Sequence, residues 1–248
     1  MKQTVPTSAL LALTTLVGAA AAQSSIAPGG SATVALPGMT SLYQVFGHAG
    51  SNSGAASDAP WLAFSAGSSN VFTFTAASGG VNCCGDTTEL NTPDGIGFSP
   101  FGTPDSSITG INGISDAFGN TQLPLVAMFG TDSDPFGNPA PAALAAWDAA
   151  SPVSQAPLAW QVFYVGDGRA GFNNGAGALL GFTAPVNATR LYLGFVDAAS
   201  FSGTSAWYHD NPGSMSATLT LAVPEPAAWA LMGCGLLAVA GAARRRRA

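Results

Sequence analysis

The sequence predicts an all-β fold, an antiparallel β-sandwich with long loops. Short runs of β-branched and aromatic residues recur along the chain, separated by clusters of Gly, Pro, Asn and Asp. No series of helical periods alternates with those runs, which argues against a parallel sheet. Charged residues are only 8% of the 248, while 31 Gly and 17 Pro supply turns. A hydrophobic content of 47% gives enough apolar surface to offset chain entropy, so the body is expected to fold rather than stay disordered. A repeat of fixed period is absent, which argues against a propeller or solenoid.

Taken in order, Ser31 to Leu36 and Leu42 to Phe46 read as the first two strands, parted by Pro37-Gly38. Gly47 to Pro60 reads as a loop. In Val71 to Thr75 strict alternation puts Phe72 and Phe74 on one face, toward the core. Gly79 to Gly119 is long, glycine-interrupted and loop-like, the kind of stretch that covers one end of a sandwich or carries function. Leu123 to Phe129 restores a strand, and Ala142 to Trp147 is expected to form a short helical turn. Trp160 to Val165, Leu191 to Val196 and Ser216 to Ala222 complete the strands.

The ends are of a different character. Lys2, the apolar stretch Ala9 to Ala20 and Ala20-Ala21-Ala22 fit a secretory signal peptide over residues 1–22. At the other end Val223, Pro224, Glu225 and Pro226 precede the apolar run Ala227 to Ala243. That run is near the lower limit of the ~17–25 residues of a transmembrane helix. Arg244, Arg245, Arg246 and Arg247 follow and stop transfer, because each charge costs about 3 kcal/mol at the bilayer centre. The two prolines keep the segment before the helix extended and open to an enzyme. The division is therefore a leader (1–22), a β-sandwich body (23–222) and a C-terminal segment (223–248) with one transmembrane helix.

That order of Pro-Glu-Pro, short apolar helix and arginine cluster resembles the PEP-CTERM sorting signal of Gram-negative bacteria. The resemblance implies an exosortase as partner, an integral-membrane transpeptidase. It also implies transient anchoring in the inner membrane, then release of the body to the cell surface or extracellular matrix.

Without its two ends the body keeps Arg169 and Arg190 as its only Lys or Arg residues, against twelve acids, a formal charge of −10. Binding to a phosphate backbone depends on Lys and Arg, so nucleic acid is not an expected partner. Of the three cysteines, Cys234 lies in the apolar tail. Cys83 and Cys84 are adjacent, which leaves two readings open: a vicinal disulfide or two separate thiols. No Cys-x-x-Cys spacing is present to poise a thiolate.

Chemistry-bearing residues gather toward the end of the body. Asp197 closes a strand, and Asp210-Asn211 follows after a loop with Trp207 and Tyr208. These oxygen donors are of the kind Ca²⁺ takes, so Asp197, Asp210 and Asn211 are candidate calcium ligands. The same residue types favour a plain turn at Asp210 to Gly213. Trp207 and Tyr208 are candidates for stacking on a sugar ring, or for capping the core.

Thr189 to Gly194, Asp197, Asp210-Asn211 and Gly213-Ser214 resemble the C-terminal part of galactose-binding-like jelly rolls, including calcium-dependent galactophilic bacterial lectins. What this implies is a calcium at Asp197, Asp210 and Asn211 through which sugar hydroxyls are held, with Asp94 on a neighbouring loop. Asp210 stands where those lectins carry Asn, and Pro212 where a small polar residue would follow.

Asp132 to Gly137 opens like an EF-hand loop, but Phe136 and Ala143 occupy ligand positions, so it is set aside. His48 and His209 form no zinc motif, and no Gly-x-Ser-x-Gly is present. The expected function is therefore a non-catalytic module that binds extracellular polysaccharide. The alternatives are a structural matrix or biofilm protein without a small ligand and, ranked below it, a secreted hydrolase.

Overall fold

The computed structural model describes residues 24–50, 56–68, 70–96, 105–172 and 175–223. The expected leader, Pro224 to Pro226, the expected transmembrane helix and Arg244 to Arg247 lie outside the described residues. The described strands are β1 (Ser24–Ser25), β2 (Ser31–Pro37), β3 (Thr40–Ser41), β4 (Ser57–Asp58), β5 (Trp61–Ala63), β6 (Val71–Val81), β7 (Ser106–Thr109) and β8 (Ala117–Gly119). They continue with β9 (Val126–Gly130), β10 (Ser154–Gln155), β11 (Val162–Tyr164), β12 (Gly181–Thr183), β13 (Arg190–Gly194), β14 (Ser202–Thr204) and β15 (Gly213–Leu221). Two single 3-10 turns, Ala199–Phe201 and Tyr208–Asp210, are the helical elements among the described residues.

Two five-stranded sheets form the body, in the orders β1-β5-β13-β9-β11 and β10-β12-β6-β15-β2. Their central pairings are antiparallel, as expected, whereas the edge strands β1 and β10 pair parallel with β5 and β12. Phenylalanines lock the sheets together. Phe72 of β6 lies 5.5 Å from Phe129 of β9, and Phe163 of β11 stacks on Phe182 of β12 at 4.6 Å. Each fully buried Phe is worth about 1.5–3 kcal/mol from burial alone.

Alternation explains the second sheet. In β6, Phe72 and Phe74 point inward, and in β15 Met215, Ala217, Leu219 and Leu221 do the same. The outward positions carry threonines that bond across strands, Thr73 to Thr220 at 2.7 Å and Thr33 to Thr218 at 2.9 Å. The first sheet behaves differently, because β9 is buried at all five positions. Side chains cover it on both faces, so its sequence runs apolar without alternation.

Three expectations need correction. Leu42 to Phe46 is not a strand: its backbone turns, with Gln44 N–H bonded to Ser41 O and His48 N–H to Val45 O. Leu42, Tyr43 and Val45 are all buried inside that turn, so an apolar run marked burial rather than a pleat. Ala142 to Trp147 forms no helical turn and instead pairs Trp147 with Gly119 as an isolated bridge. Within Gly79 to Gly119, β6 runs on to Val81 and β7 and β8 form a small sheet with β14.

Asp94 braces one turn of this framework. Fully buried, it accepts hydrogen bonds through Oδ1 from the Tyr164 hydroxyl at 2.8 Å and from the Asp167 N–H at 2.9 Å. Burial, then the neighbouring Asp94 carboxyl, pushes the Tyr164 phenol well above its usual range, so it stays a donor. Asp94→Ala leaves two buried donors without this acceptor and is expected to lower stability by about 3 kcal/mol. Urea unfolding checks this, and a loss within error of zero would contradict the bracing role.

Candidate functional site

The chain leaving β13 carries Asp197 into a nook at one end of the two-sheet body. Its buried carboxylate accepts the Ala198 N–H at 2.7 Å and the Asn211 side-chain amide at 2.9 Å. The loop between them folds back on itself, with Ala206 N–H bonded to Asp197 O and Ala198 paired with Ser205. This closure places Asp210 at the same cavity as Asp197, close enough for its charge to raise the Asp197 carboxyl. The three candidate ligands are thus gathered in one place.

Desolvation dominates the electrostatics. Burial raises the Asp197 carboxyl from 3.8 to about 8, against the lowering effect of Asn211 and Ala198 and with a further rise from Asp210. Two oxygens at the site, Asp210 Oδ1 and Asn211 Oδ1, are buried with no hydrogen-bond partner among the described residues. Unsatisfied buried acceptors cost about 1–3 kcal/mol each. A cation beside these groups would satisfy the orphaned oxygens and offset the Asp210 charge that raises Asp197.

The donor set suits a hard cation in kind but is sparse. Among the described residues no group of three or more His, Cys, Asp and Glu is placed to hold a metal. Ca²⁺ would take Asp197, Asp210 and Asn211 and complete its shell from carbonyls and water.

A cavity of about 50 Å³ opens beside the acids, and its wall includes Cys83, Cys84 and Trp207. The cysteine turn is tied to it by Gly85 N–H on Asp210 O and Asn82 N–H on Pro212 O. Cys83 and Cys84 stand as free thiols in this structure, one buried and one exposed. Burial pushes both thiols up, Cys83 furthest, which keeps them neutral and poorly nucleophilic.

Trp207 and Tyr208, adjacent in sequence, have opposite fates. Trp207 sits in the left-handed region at φ 71° with 43% of its surface exposed at the cavity wall. Tyr208 is fully buried, and its hydroxyl accepts the Asp197 N–H at 3.0 Å. It supports the nook from within and offers no ring face to a ligand. Asp94 likewise is turned into the brace with Tyr164 and Asp167 rather than toward a ligand.

Two further features had no local signal in the sequence. A cleft of about 420 Å³ lies between residues 144–156 and β11, with Leu144, Trp147, Pro152 and Tyr164 in its wall. On the outer face of the first sheet, the Arg190 guanidinium lies 4.2 Å from the Trp61 ring centroid and 4.9 Å from that of Phe46. The one available hint was that Arg190 is one of only two arginines in the body.

Residues 222–247 match the PEP-CTERM protein-sorting motif. No curated protein and no solved structure matches the chain. The motif signals an exported protein, anchored transiently in a membrane and processed by an exosortase. The all-β body is compatible with a sandwich, but the galactose-binding-like resemblance gains no support from these comparisons.

The raised Asp197 carboxyl has a measurable sign. Between 3.8 and about 8 the unfolded chain has released a proton that the native chain retains, so stability falls as pH rises through that window. Asp197→Asn, isosteric with the protonated acid, is expected to remove that decline in calcium-free buffer. Urea unfolding at a series of pH values measures it, and an unchanged decline would contradict the assignment.

Proposed function

We propose that the exported body is a non-catalytic carbohydrate-binding module of a Gram-negative cell surface or extracellular matrix, holding Ca²⁺ at Asp197, Asp210 and Asn211. The observation that carries the calcium part is the pair of orphaned oxygens, Asp210 Oδ1 and Asn211 Oδ1, beside the buried Asp197 carboxyl. Bound Ca²⁺ would supply positive charge to a cavity that both carboxyls line. The export motif supports a role outside the cell.

The state of the nucleophile candidates favours the non-catalytic reading. Both body thiols are held neutral. His48 stacks on Phe136 at 4.2 Å and bonds to Asp134, while His209 lies against Trp207.

Two outcomes are expected. With few carboxylates at the site, affinity should be in the millimolar range of extracellular calcium modules, so 10-fold excess over Kd adds about 1.4 kcal/mol and raises Tm by about 3–6 °C. Asp210→Ala should abolish that shift in scanning calorimetry, and a wild-type Tm indifferent to calcium would contradict the calcium part. Mass spectrometry of the extracellular protein is expected to show a chain ending near Pro224 to Pro226. A mature chain that still contains Ala227 to Arg247 would contradict processing.

A further inference from the structure

The outer face of the first sheet carries an unusual density of rings and hydrogen-bonding charges. Strand pairing sets Trp61 of β5 beside Tyr192 of β13, and Arg190 two residues earlier projects from the same face. Trp160 folds over Gly130 of β9. A Cβ at position 130 would lie 2.6 Å from Trp160 Cη2 and 2.7 Å from Tyr192 Cε2, so the glycine is what lets those rings lie flat on the sheet. The ring centroids of Trp160 and Tyr192 are 5.8 Å apart, and those of Trp61 and Tyr192 6.1 Å.

Two loops extend this platform. Residues 46–48 bring Phe46 to Trp160 and His48 to Phe136, and residues 132–136 bring Asp132 to Arg190 and Asp134 to His48. The Arg190 Nε donates to Asp132 Oδ1 at 3.0 Å, and its Nη1 donates to the Tyr192 hydroxyl at 3.3 Å. Exposure is high where a ligand would reach: Phe46 38%, Phe136 58% and the Asp132 side chain 73%. Large exposed rings of this kind are not needed to close a core, and their clustering marks an interaction surface.

We infer that this face is the polysaccharide-contact surface of the body, and that its ligand is a neutral pyranose polymer. The inference rests on the carbohydrate reading above and moves the main contact away from Trp207. Pyranose rings present C–H faces that stack on aromatic rings, while their hydroxyls both donate and accept. Asp132 and Asp134 accept such bonds, and the Arg190 guanidinium, fixed over two rings, donates. Charge selects against acidic polymers: the exposed carboxylates line the face and the body carries −10. Rings held by strands and by cation–π stacking lose little freedom on binding, which suits a ligand of weak individual contacts.

The test uses the full chain in a detergent without a sugar headgroup, in affinity electrophoresis through gels containing dextran, mixed-linkage glucan, galactomannan or polygalacturonate. Retention by at least one neutral polymer and none by polygalacturonate is expected. Phe46→Ala and Phe136→Ala, both at exposed positions, should each weaken retention about tenfold with unchanged Tm, as one lost ring contact predicts. Gly130→Ala, which displaces Trp160 without deleting a ring, should weaken it as well, whereas Trp207→Ala should not. Full retention by the Phe46→Ala, Phe136→Ala double variant, or loss only in Trp207→Ala, would overturn this inference while leaving the carbohydrate reading intact. Stronger retention by polygalacturonate would overturn the neutral-polymer assignment. Retention by no polysaccharide would overturn both.

Discussion

Contact between the phenylalanines of the two sheets is the constraint on which the rest depends. Phe72 against Phe129 and Phe163 against Phe182 fix the spacing and rotation of one sheet relative to the other. Everything of functional interest hangs from strands that those rings hold. β13 carries Arg190 and Tyr192 on its outer face and hands Asp197 to the nook at its end. β9 carries Phe129 inward and Gly130 outward beneath Trp160, so one strand joins core and surface. Loosening the ring stack would move the platform and the nook together.

The two surfaces use opposite physical devices. At the nook, polar groups are taken out of water, and the cost shows in an acid raised to about 8 and two acceptors left without donors. On the sheet face, charges stay at the surface, and rings supply the rigidity. A body with so few cations spends one of its two arginines on that stack, where its planar group lies over Trp61 and Phe46.

Much of the framework was legible wherever one face of a strand meets solvent. Phe72 and Phe74 alternate with threonines, and Met215 to Leu221 do likewise, so β6 and β15 could be read directly. Legibility failed where burial is two-sided or elements are short. Leu42 to Val45 looks like a strand because its residues are apolar, yet they are buried by a turn. β5 is three residues long, too short to show a period. At the nook the residue types announced Asp197, Asp210 and Asn211, but nothing local separates Trp207 from Tyr208; a 3-10 turn starting at Tyr208 exposes one and buries the other. The ring platform was invisible because its members come from five separate segments, and only the sheet register together with the loops beside it brings them side by side.

The central claim is that a rigid aromatic face on an exported sandwich meets sugar directly. A crystal of the exported body, grown with calcium and soaked with a neutral oligosaccharide, measures this most directly. Pyranose density stacked over Phe46, Trp61 or Phe136 with hydroxyls on Asp132 is the predicted result. Sugar density confined to the Trp207 cavity, or a bare ring face at saturating oligosaccharide, would contradict it.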